Sequence, residues 1–236
     1  MITVIIPTLN EKKNIKKIST KLNKIKIISE VIFIDDNSSD GTFEEIKKIK
    51  YTKFKGILRS SKDKDLSKSV ILGSSKAKNN VLMVMDCDLQ HDVKYINKMW
   101  KIFKISKCDI LIASRFFTRY FFGNISFFRS FISKFAIFII NFIFGFKSSD
   151  PLSGFFICKK YLIVRYKKNF YSKGYKILFD ILYNGKKTIF CKDFPIIFKK
   201  RRFENSKFNI QIIKLFLGQM LYTKFFVKLK IFYKKA

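Results

Sequence analysis

Three oxygen-bearing side chains stand at alternate positions directly after an apolar run. The run is VLMVM, residues 81–85, and the side chains that follow it are Asp86, Asp88 and Gln90. In an extended segment, residues two apart face the same way, so these three would present their oxygens together. Such ligands suit Mg²⁺ or Mn²⁺, and an ion held there would neutralise the charge of a departing diphosphate. The alternative is a pair of solvated carboxylates in a turn after a buried strand.

Histidine and cysteine usage excludes several other chemistries. His91 is the sole histidine, which rules out an HExxH zinc site and leaves a Ser-His-Asp triad only that one residue. The four cysteines lie far apart without a CxxC pair, and we expect core thiols rather than disulfides or zinc ligands; they are Cys87, Cys108, Cys158 and Cys191.

The chain is strongly basic, with a formal net charge of +32 over 236 residues. This charge indicates nucleic acid, an anionic membrane or a phosphorylated substrate as a partner. A biased nucleotide composition of the gene is the alternative, because only seven of the 49 basic residues are Arg while Phe, Ile and Asn are abundant. Carboxylates crowd the expected strand ends where a phosphate backbone would need cations, so we expect no nucleic-acid partner.

No apolar run reaches the roughly 18 residues of a membrane span. The longest, FAIFIINFIFGF at 135–146, predicts a buried or interfacial helix that does not cross a bilayer. The apolar segment at 2–6 ends at Pro7 and is too short for a secretory signal.

The N-terminal half alternates between strand and helix patterns. We predict strands at 2–6, 31–34, 55–58, 81–85 and 110–113, and helices at 11–26, 40–49, 66–78 and 93–103. This alternation is typical of a parallel sheet with crossover helices, whose ligands gather at the carboxyl ends of the strands. The polar residues expected at that edge are Glu11, Asp35, Asp36, Asp86 and Asp88.

The second half has a different pattern. Residues 116–146 are dense in Phe and Ile, with basic residues between them, and residues 150–156 form a polar turn that runs into apolar chain. We expect residues 208–236 to be helical, apolar and rich in Lys. Helical aromatic stripes usually pack inside a protein, but an apolar helix with basic residues can also lie in a lipid headgroup region.

Nine stretches together resemble the dolichol- and polyprenol-phosphate mannose synthases, which are inverting glycosyltransferases with the GT-A fold. Their order and spacing fit over roughly residues 2–210, and the stretches are IPTLNE (6–11), IDDNSSDGT (34–42), MDCDLQH (85–91), ASR (113–115), RSFISK (129–134), DPLSGFF (150–156), SKGYKI (172–177), FPIIF (194–198) and RRFENSK (201–207). The resemblance implies an α/β fold of the Rossmann-like GT-A type, with a mixed, mostly parallel sheet flanked by helices and with amphipathic membrane-interface helices. It implies a transferase domain at 1–207, which includes interface helices at 116–146, and a basic amphipathic tail at 208–236.

The resemblance also implies roles for individual residues. Asp88 and Arg115 would be catalytic, Arg129 and Ser133 would bind the acceptor phosphate, and the metal would take Asp86, Asp88 and Gln90. The donor would be bound by Pro7, Leu9, Glu11, Ile34, Asp36, Asp86, Cys87, Asp88, Gln90, Arg115, Arg201 and Lys207. Other interpretations stay open: Asp36 as a helix cap, and Arg201 and Lys207 as parts of a solvated loop.

Three positions depart from the family's pattern. Asp65-Leu66-Ser67 replaces the usual Gly-Leu-Gly or Gly-Leu-Ser before the third helix, Glu204 replaces a common Gly, and Leu9 replaces a frequent aromatic residue. The Asp65 and Glu204 changes bear on donor affinity and on which sugar is used.

The implied function is transfer of a hexosyl group, most simply mannose from GDP-mannose, to a polyprenyl or dolichyl phosphate, with Mg²⁺ or Mn²⁺ as cofactor. A lipid phosphate is already anionic at neutral pH, so the reaction needs positive charge more than a general base. We expect a peripheral protein at the cytoplasmic face of a membrane, where a small membrane-anchoring partner is one possibility. The alternatives are another nucleotide sugar such as UDP-glucose, a non-lipid glycan acceptor, or a basic protein that binds nucleic acid.

Overall fold

The computed structural model describes residues 1–115, 137–171, 176–197 and 210–233, with the side chains of 214–225 in the last range. Within these residues, seven strands form one sheet in the order β3-β2-β1-β4-β6-β5-β7. The strands are β1 (Ile2–Thr8), β2 (Ile28–Asp35), β3 (Phe54–Leu58), β4 (Val81–Val84), β5 (Ile110–Ser114), β6 (Phe156–Lys159) and β7 (Cys191–Pro195).

Helices cover both faces of this sheet. They are α1 (Lys12–Asn23), α2 (Thr42–Lys47), α3 (Leu66–Lys76), α4 (Ile96–Ser106), α5 (137–144), α6 (Lys160–Tyr166), α7 (Ile177–Gly185) and α8 (Ile210–Tyr233). The predicted alternation through residue 113 is confirmed, with ends that differ by a few residues, and the tail is helical as expected. Strands β6 and β7 and helices α6 and α7 were not predicted from the sequence. Within the described ranges, none of the helices is both long enough and apolar enough to cross a lipid bilayer.

Alternating side chains on each strand supply two apolar layers, one on each face of the sheet. On β2, Val31 and Phe33 point into a core that is completed by α1, α2 and α4. Ile32 and Ile34 point into the opposite core, which is completed by α3 and by the helices α5 to α8. The near-continuous burial of β1 and β2 follows from this two-sided cover.

Strand β6 runs antiparallel to both of its neighbours, whereas the other strand pairs of the sheet are parallel. Phe156, its first residue, pairs with Val84 of β4 and with Ile112 of β5. The start of the reversed strand therefore lies at the edge where β4 and β5 end. Residues 150–155, which lead into β6, are delivered to the edge where we expect ligands.

Candidate active site

The segment after β4 bends instead of continuing as extended chain. Regular pairing ends at Val84, and Leu89 has a left-handed backbone with φ of 61°. The backbone N–H of Gln90 donates to Oδ1 of Asp88 over 3.0 Å, which closes a short turn. The premise that Asp86, Asp88 and Gln90 share one face of an extended strand is therefore wrong, because the chain bends at residues 87–89. Their roles as metal ligands stay a prediction.

The two carboxylates of this turn differ in exposure. The side chain of Asp86 is 38% exposed, whereas Asp88 is buried. Among the described residues, no group of three or more His, Cys, Asp or Glu side chains is arranged to hold a metal ion. Two carboxylates and one amide are nevertheless hard oxygen donors, and they fit an ion such as Mg²⁺ or Mn²⁺ that also takes ligands from a bound molecule.

His91 is buried beneath this turn and is uncharged at neutral pH. Its Nδ1 accepts a hydrogen bond from the backbone N–H of Asp86 over 3.2 Å, and its ring stacks on Phe155 with the centroids 5.0 Å apart. Burial lowers the pKa of His91 to about 4. Because the Nδ1 lone pair already accepts a hydrogen bond, His91 supports the Asp86 backbone and is poorly placed to act as a general base.

Arg115, directly after β5, forms a two-pronged ion pair with Asp150. Nε donates to Oδ2 over 2.7 Å and an Nη donates to Oδ1 over 3.0 Å. Asp150 is fully buried, while the Arg115 side chain is 26% exposed. Burial would lower the pKa of Arg115, but the charge of Asp150 and its hydrogen bond outweigh this effect and raise it. The guanidinium is therefore held as a fixed cation at the carboxyl edge.

The loop at residues 150–154 contacts a different functional side chain at every second position. Asp150 holds Arg115, and the carbonyl of Leu152 accepts a hydrogen bond from Nζ of Lys176 over 3.2 Å. A Cβ placed on Gly154 would lie 2.7 Å from Oδ2 of Asp86, so only glycine lets that carboxylate pack against the loop. This loop therefore gathers side chains that follow β4, follow β5 and precede α7.

A second polar cluster lies where β2 and β3 end. The carboxylate of Asp36 is buried; it pairs with the Arg59 guanidinium and accepts a hydrogen bond from the backbone N–H of Asp65. Burial raises the pKa of Asp36, although the Asp65 hydrogen bond and the charge of Arg59 act in the opposite direction. The neighbouring Asp35 is fully buried and accepts a hydrogen bond from Ser38 N over 3.0 Å.

Asp65, which departs from the family's usual glycine, is the N-cap of α3. Its Oδ1 accepts a hydrogen bond from the backbone N–H of Lys68 over 2.9 Å, and its own backbone N–H donates to Asp36. The carboxylate therefore satisfies one of the donors that a helix N-terminus leaves unpaired. The substitution has a structural use at this position.

The other predicted donor residues divide into side chains in the core and residues at the edge. Ile34 and Cys87 have buried side chains that belong to the two apolar cores, so their backbones are the parts available to a ligand. Pro7 is buried in β1 and pairs with Ile34, while Leu9 is half-buried just beyond the strand. Glu11 is the N-cap of α1, and its Oε2 accepts a hydrogen bond from Nδ2 of Asn14 over 2.7 Å.

Four predicted site residues lie outside the described residues: Arg129, Ser133, Arg201 and Lys207. Conversely, the structure brings Arg59, Gly154 and Lys176 to the carboxyl edge, and none of them had been assigned a role. Arg59 directly follows β3, so the rule that sites form after parallel strands would have identified it. Gly154 and Lys176 precede their elements, and that rule gives no signal for them.

Comparison with known proteins identifies the family. Residues 3–167 match the model of the family described as glycosyl transferase family 2. The chain is 35% identical over 191 residues to a dolichol-phosphate mannosyltransferase of Pyrococcus furiosus; the match covers 78% of this chain but only 53% of that protein. It is 30% identical over 234 residues to a dolichol-phosphate mannosyltransferase of Saccharomyces cerevisiae, and this match covers 92% of this chain and 85% of that protein.

The fold is also found in solved structures. A glucosyl-3-phosphoglycerate synthase of Mycobacterium tuberculosis, crystallised with Mn²⁺, uridine diphosphate and phosphoglyceric acid, superposes with a TM-score of 0.70 at 13% identity. The superposition covers 94% of this chain and 76% of the synthase. At this level of identity the likeness concerns the fold alone. With the sheet order, the site at its carboxyl edge and the family match taken together, the chain is a GT-A glycosyltransferase that belongs to glycosyl transferase family 2.

Proposed function

We propose that this chain transfers a mannosyl group from GDP-mannose to a polyprenyl phosphate of the dolichyl type. The observation that carries the proposal is the 30% identity to the yeast dolichol-phosphate mannosyltransferase, which extends over 85% of that protein. The site supports it, because a fixed cation, Arg115, and a solvent-open carboxylate, Asp86, share the carboxyl edge of the sheet. Such an arrangement suits two phosphorylated substrates that meet at one point.

The donor would bind along the ends of β1, β2 and β4. Asp86, Asp88 and Gln90 would hold Mg²⁺ or Mn²⁺, which when bound supplies positive charge to the diphosphate of the donor. Asp88 and Arg115 would then be the catalytic residues. The remaining donor contacts of this proposal are Pro7, Leu9, Glu11, Ile34, Asp36, Cys87, Arg201 and Lys207.

The transfer is a single displacement at the anomeric carbon. An oxygen of the acceptor phosphate forms the new bond to that carbon as the bond to the diphosphate oxygen breaks, so the anomeric configuration inverts. The acceptor needs no deprotonation, which agrees with a His91 that is buried, uncharged and already hydrogen-bonded. Arg129 and Ser133 would hold the acceptor phosphate in line, together with Arg115.

A membrane surface would present the lipid acceptor. Helix α5 buries Ile140 and Phe144 but leaves Phe138 66% and Phe142 83% exposed, on the face away from the core. Helix α8 likewise exposes Leu217 and Phe225. Exposed aromatic side chains on a chain with a net charge of +32 favour an anionic lipid surface. We therefore propose a peripheral location at the cytoplasmic face of a membrane, with a small anchoring subunit as a possible partner.

The test is transfer of radiolabelled sugar from GDP-mannose or UDP-glucose to polyprenyl phosphate by the purified protein with Mn²⁺ or Mg²⁺. We expect a lipid-soluble β-linked mannosyl product from GDP-mannose, and Asp88→Asn should reduce turnover by at least 100-fold (order of magnitude). Asp63→Asn, at an exposed carboxylate after β3, is the matched control and should keep full activity. Transfer to free glycans without lipid would show that the acceptor is a glycan and not a polyprenyl phosphate. Absence of any lipid product would refute the proposal.

A further inference from the structure

We propose that Lys176 is a second phosphate-binding cation beside Arg115. The Nζ of Lys176 would donate a hydrogen bond to a phosphate oxygen of a bound substrate. This inference rests on the proposed function for the identity of the substrates. The phosphate belongs either to the lipid acceptor or to the diphosphate of the donor, and both present the same anionic oxygens to Nζ.

The position of Lys176 is fixed at three points. Its carbonyl accepts hydrogen bonds from Phe179 N over 3.1 Å and from Gln219 Nε2 of α8 over 3.2 Å. Its Nζ donates to the carbonyl of Leu152 in the loop at 150–154. The side chain is thereby held at the same loop that positions Arg115 and Asp86. Ordering a lysine side chain costs conformational entropy, and these contacts already order Lys176 before a ligand binds.

The hydrogen bonds of the two cations differ in an informative way. Two nitrogens of Arg115 contact the carboxylate of Asp150, so most of its charge is balanced locally. Within the described part of the chain, Nζ of Lys176 forms no ion pair, and its hydrogen bond goes to a neutral carbonyl. One of its three N–H donors is accounted for in this way. Nζ of Lys176 therefore has N–H donors left for a ligand beyond the one that Leu152 accepts, and Asp86 and Asp150 are the carboxylates that interact with its charge.

The electrostatic surroundings agree with this geometry. Burial, and next the positive charge of Arg115, lower the pKa of Lys176, whereas Asp86 and Asp150 act in the opposite direction. Two cations held close together in a partly buried site repel each other, and an anion bound between them removes that repulsion. A phosphate has the charge and the acceptor oxygens to occupy this position.

Lys160 provides a matched control. Its Nζ also donates to a backbone carbonyl, that of Ala77, over 2.7 Å, and it also stands at the start of a helix, α6. It follows β6 and so lies at the opposite edge of the sheet, away from the proposed site. Replacing either lysine by Met removes one charge and one hydrogen bond to a carbonyl, but only Lys176→Met removes charge from the site.

The experiment compares Lys176→Met, Lys176→Arg and Lys160→Met with the unaltered chain. The measurements are kcat, the KM for polyprenyl phosphate, the Kd for GDP in the presence of Mn²⁺, and Tm. We expect Lys176→Met to raise either the KM for the lipid phosphate or the Kd for GDP by roughly tenfold or more, with substantial recovery in Lys176→Arg. Lys160→Met should leave all three binding and kinetic values within about twofold.

The KM for polyprenyl phosphate and the Kd for GDP together identify which substrate supplies the phosphate. A raised KM for the lipid with an unchanged Kd for GDP assigns Lys176 to the acceptor, and the reverse assigns it to the donor. Kinetic and binding values of Lys176→Met within twofold of the unaltered chain, whatever the change in Tm, would overturn the inference.

If the unaltered chain transfers no sugar, the proposed function fails. The Kd values for GDP and pyrophosphate then decide on Lys176 alone. If Lys176→Met does not fold, Lys176→Gln takes its place in the same comparison with Lys176→Arg and Lys160→Met, with the same outcomes for and against the inference.

Discussion

The carboxylate of Asp150 accepts two hydrogen bonds from the guanidinium of Arg115 across 35 positions of sequence, at the junction of β5 and the loop before β6. The acid is fully buried and the base is about one quarter exposed, so the pair both fixes the loop and holds a cation at the carboxyl edge. Because the same loop contacts Asp86 and Lys176, its shape determines the spacing of charges at the candidate active site.

Replacing Asp150 by Asn should therefore impair both stability and catalysis. The isosteric amide keeps the volume but leaves the guanidinium without its counter-charge, and we expect the free energy of unfolding to fall by about 2 kcal/mol. Mannosyl transfer should fall by at least tenfold, since Arg115 loses its fixed orientation (an order-of-magnitude expectation). Urea unfolding and a transfer assay measure the two effects.

Asp109→Asn is the control for this change, because Asp109 pairs with Lys159 at the opposite end of β5 and β6. That pair is more exposed, but the Asp109 carboxylate also accepts a hydrogen bond from Phe190 N, so the change should lower the free energy of unfolding by about 1 to 2 kcal/mol and leave transfer unchanged. Equal loss of transfer in both variants would contradict the role of the Arg115 pair.

Gly154→Ala should displace the Asp86 carboxylate. The added methyl group would lie 2.7 Å from Oδ2 of Asp86, well inside contact distance, so the carboxylate has to rotate away. We expect a rise of about tenfold or more in the Mn²⁺ concentration needed for half-maximal transfer, since the proposed ligand Asp86 is displaced. Titration of activity with MnCl₂ measures this.

The adjacent Ser153→Ala serves for comparison. It removes a buried hydroxyl that donates to the carbonyl of Ala113 and accepts a hydrogen bond from Phe155 N, without adding an atom near Asp86. It should lower the free energy of unfolding by about 1 kcal/mol while the Mn²⁺ requirement stays unchanged. An unchanged Mn²⁺ requirement in Gly154→Ala would argue that Asp86 is not a ligand.

Asp180 of α7 should make the protein less stable as the pH rises. Burial raises the pKa of this carboxyl from 3.8 to about 7, although hydrogen bonds from Gln219 and from the Tyr171 backbone oppose the shift. Below pH 3.8 the folded and unfolded chains both carry the proton, and no difference arises. As the pH rises from there towards 7, the unfolded chain releases its proton first, which favours unfolding.

Asp180→Asn cannot ionise and should abolish this dependence. Its advantage in free energy of unfolding over the unaltered chain should grow between about pH 4 and pH 7, to about 4 kcal/mol at most. Denaturant unfolding at several pH values measures the difference. Parallel stability curves for the two chains would show that Asp180 is ionised in the folded protein.

Lys53 should stabilise the end of α1 without a role in catalysis. Its Nζ donates to the carbonyls of Leu22, Asn23 and Ile25 over 3.2, 2.9 and 3.3 Å. A cation at the carboxyl end of a helix satisfies carbonyls that lack helical partners and interacts favourably with the helix dipole. We expect Lys53→Met to lower the free energy of unfolding by about 1 to 2 kcal/mol, with transfer unchanged below the unfolding transition.

Exposed lysines of α1 such as Lys13 give the baseline for this measurement. Lys13→Met should change stability by less than about 0.5 kcal/mol. A similarly small effect of Lys53→Met would mean that water replaces its three hydrogen bonds at little cost.

The sequence predicts those parts of the candidate site that directly follow parallel strands in the alternation of strands and helices. Asp36 and Asp86 come after parallel strands, and their convergence at one edge is confirmed by the sheet order. The bend after Asp86 was not predicted, because polar residues at every second position occur in turns as well as in strands. No side-chain pattern marks the left-handed backbone of Leu89. The pairing of Arg115 with Asp150 depends on the reversal of β6, a tertiary choice that local patterns do not encode.

The place of β6 has a consequence for the order of assembly. β4 and β5 lie on either side of it and do not pair with each other, although β5 ends about 40 residues and β4 about 70 residues earlier in the chain. Until residues 156–159 emerge from the ribosome and enter the gap, both neighbours present unpaired backbone edges, the kind of surface on which chains stick together. Entry of β6 thus joins β4 to β5 and brings residues 150–155 to the carboxyl edge in one late event, before β7 adds the last strand, and a nascent chain halted near residue 150 should be a target for chaperones.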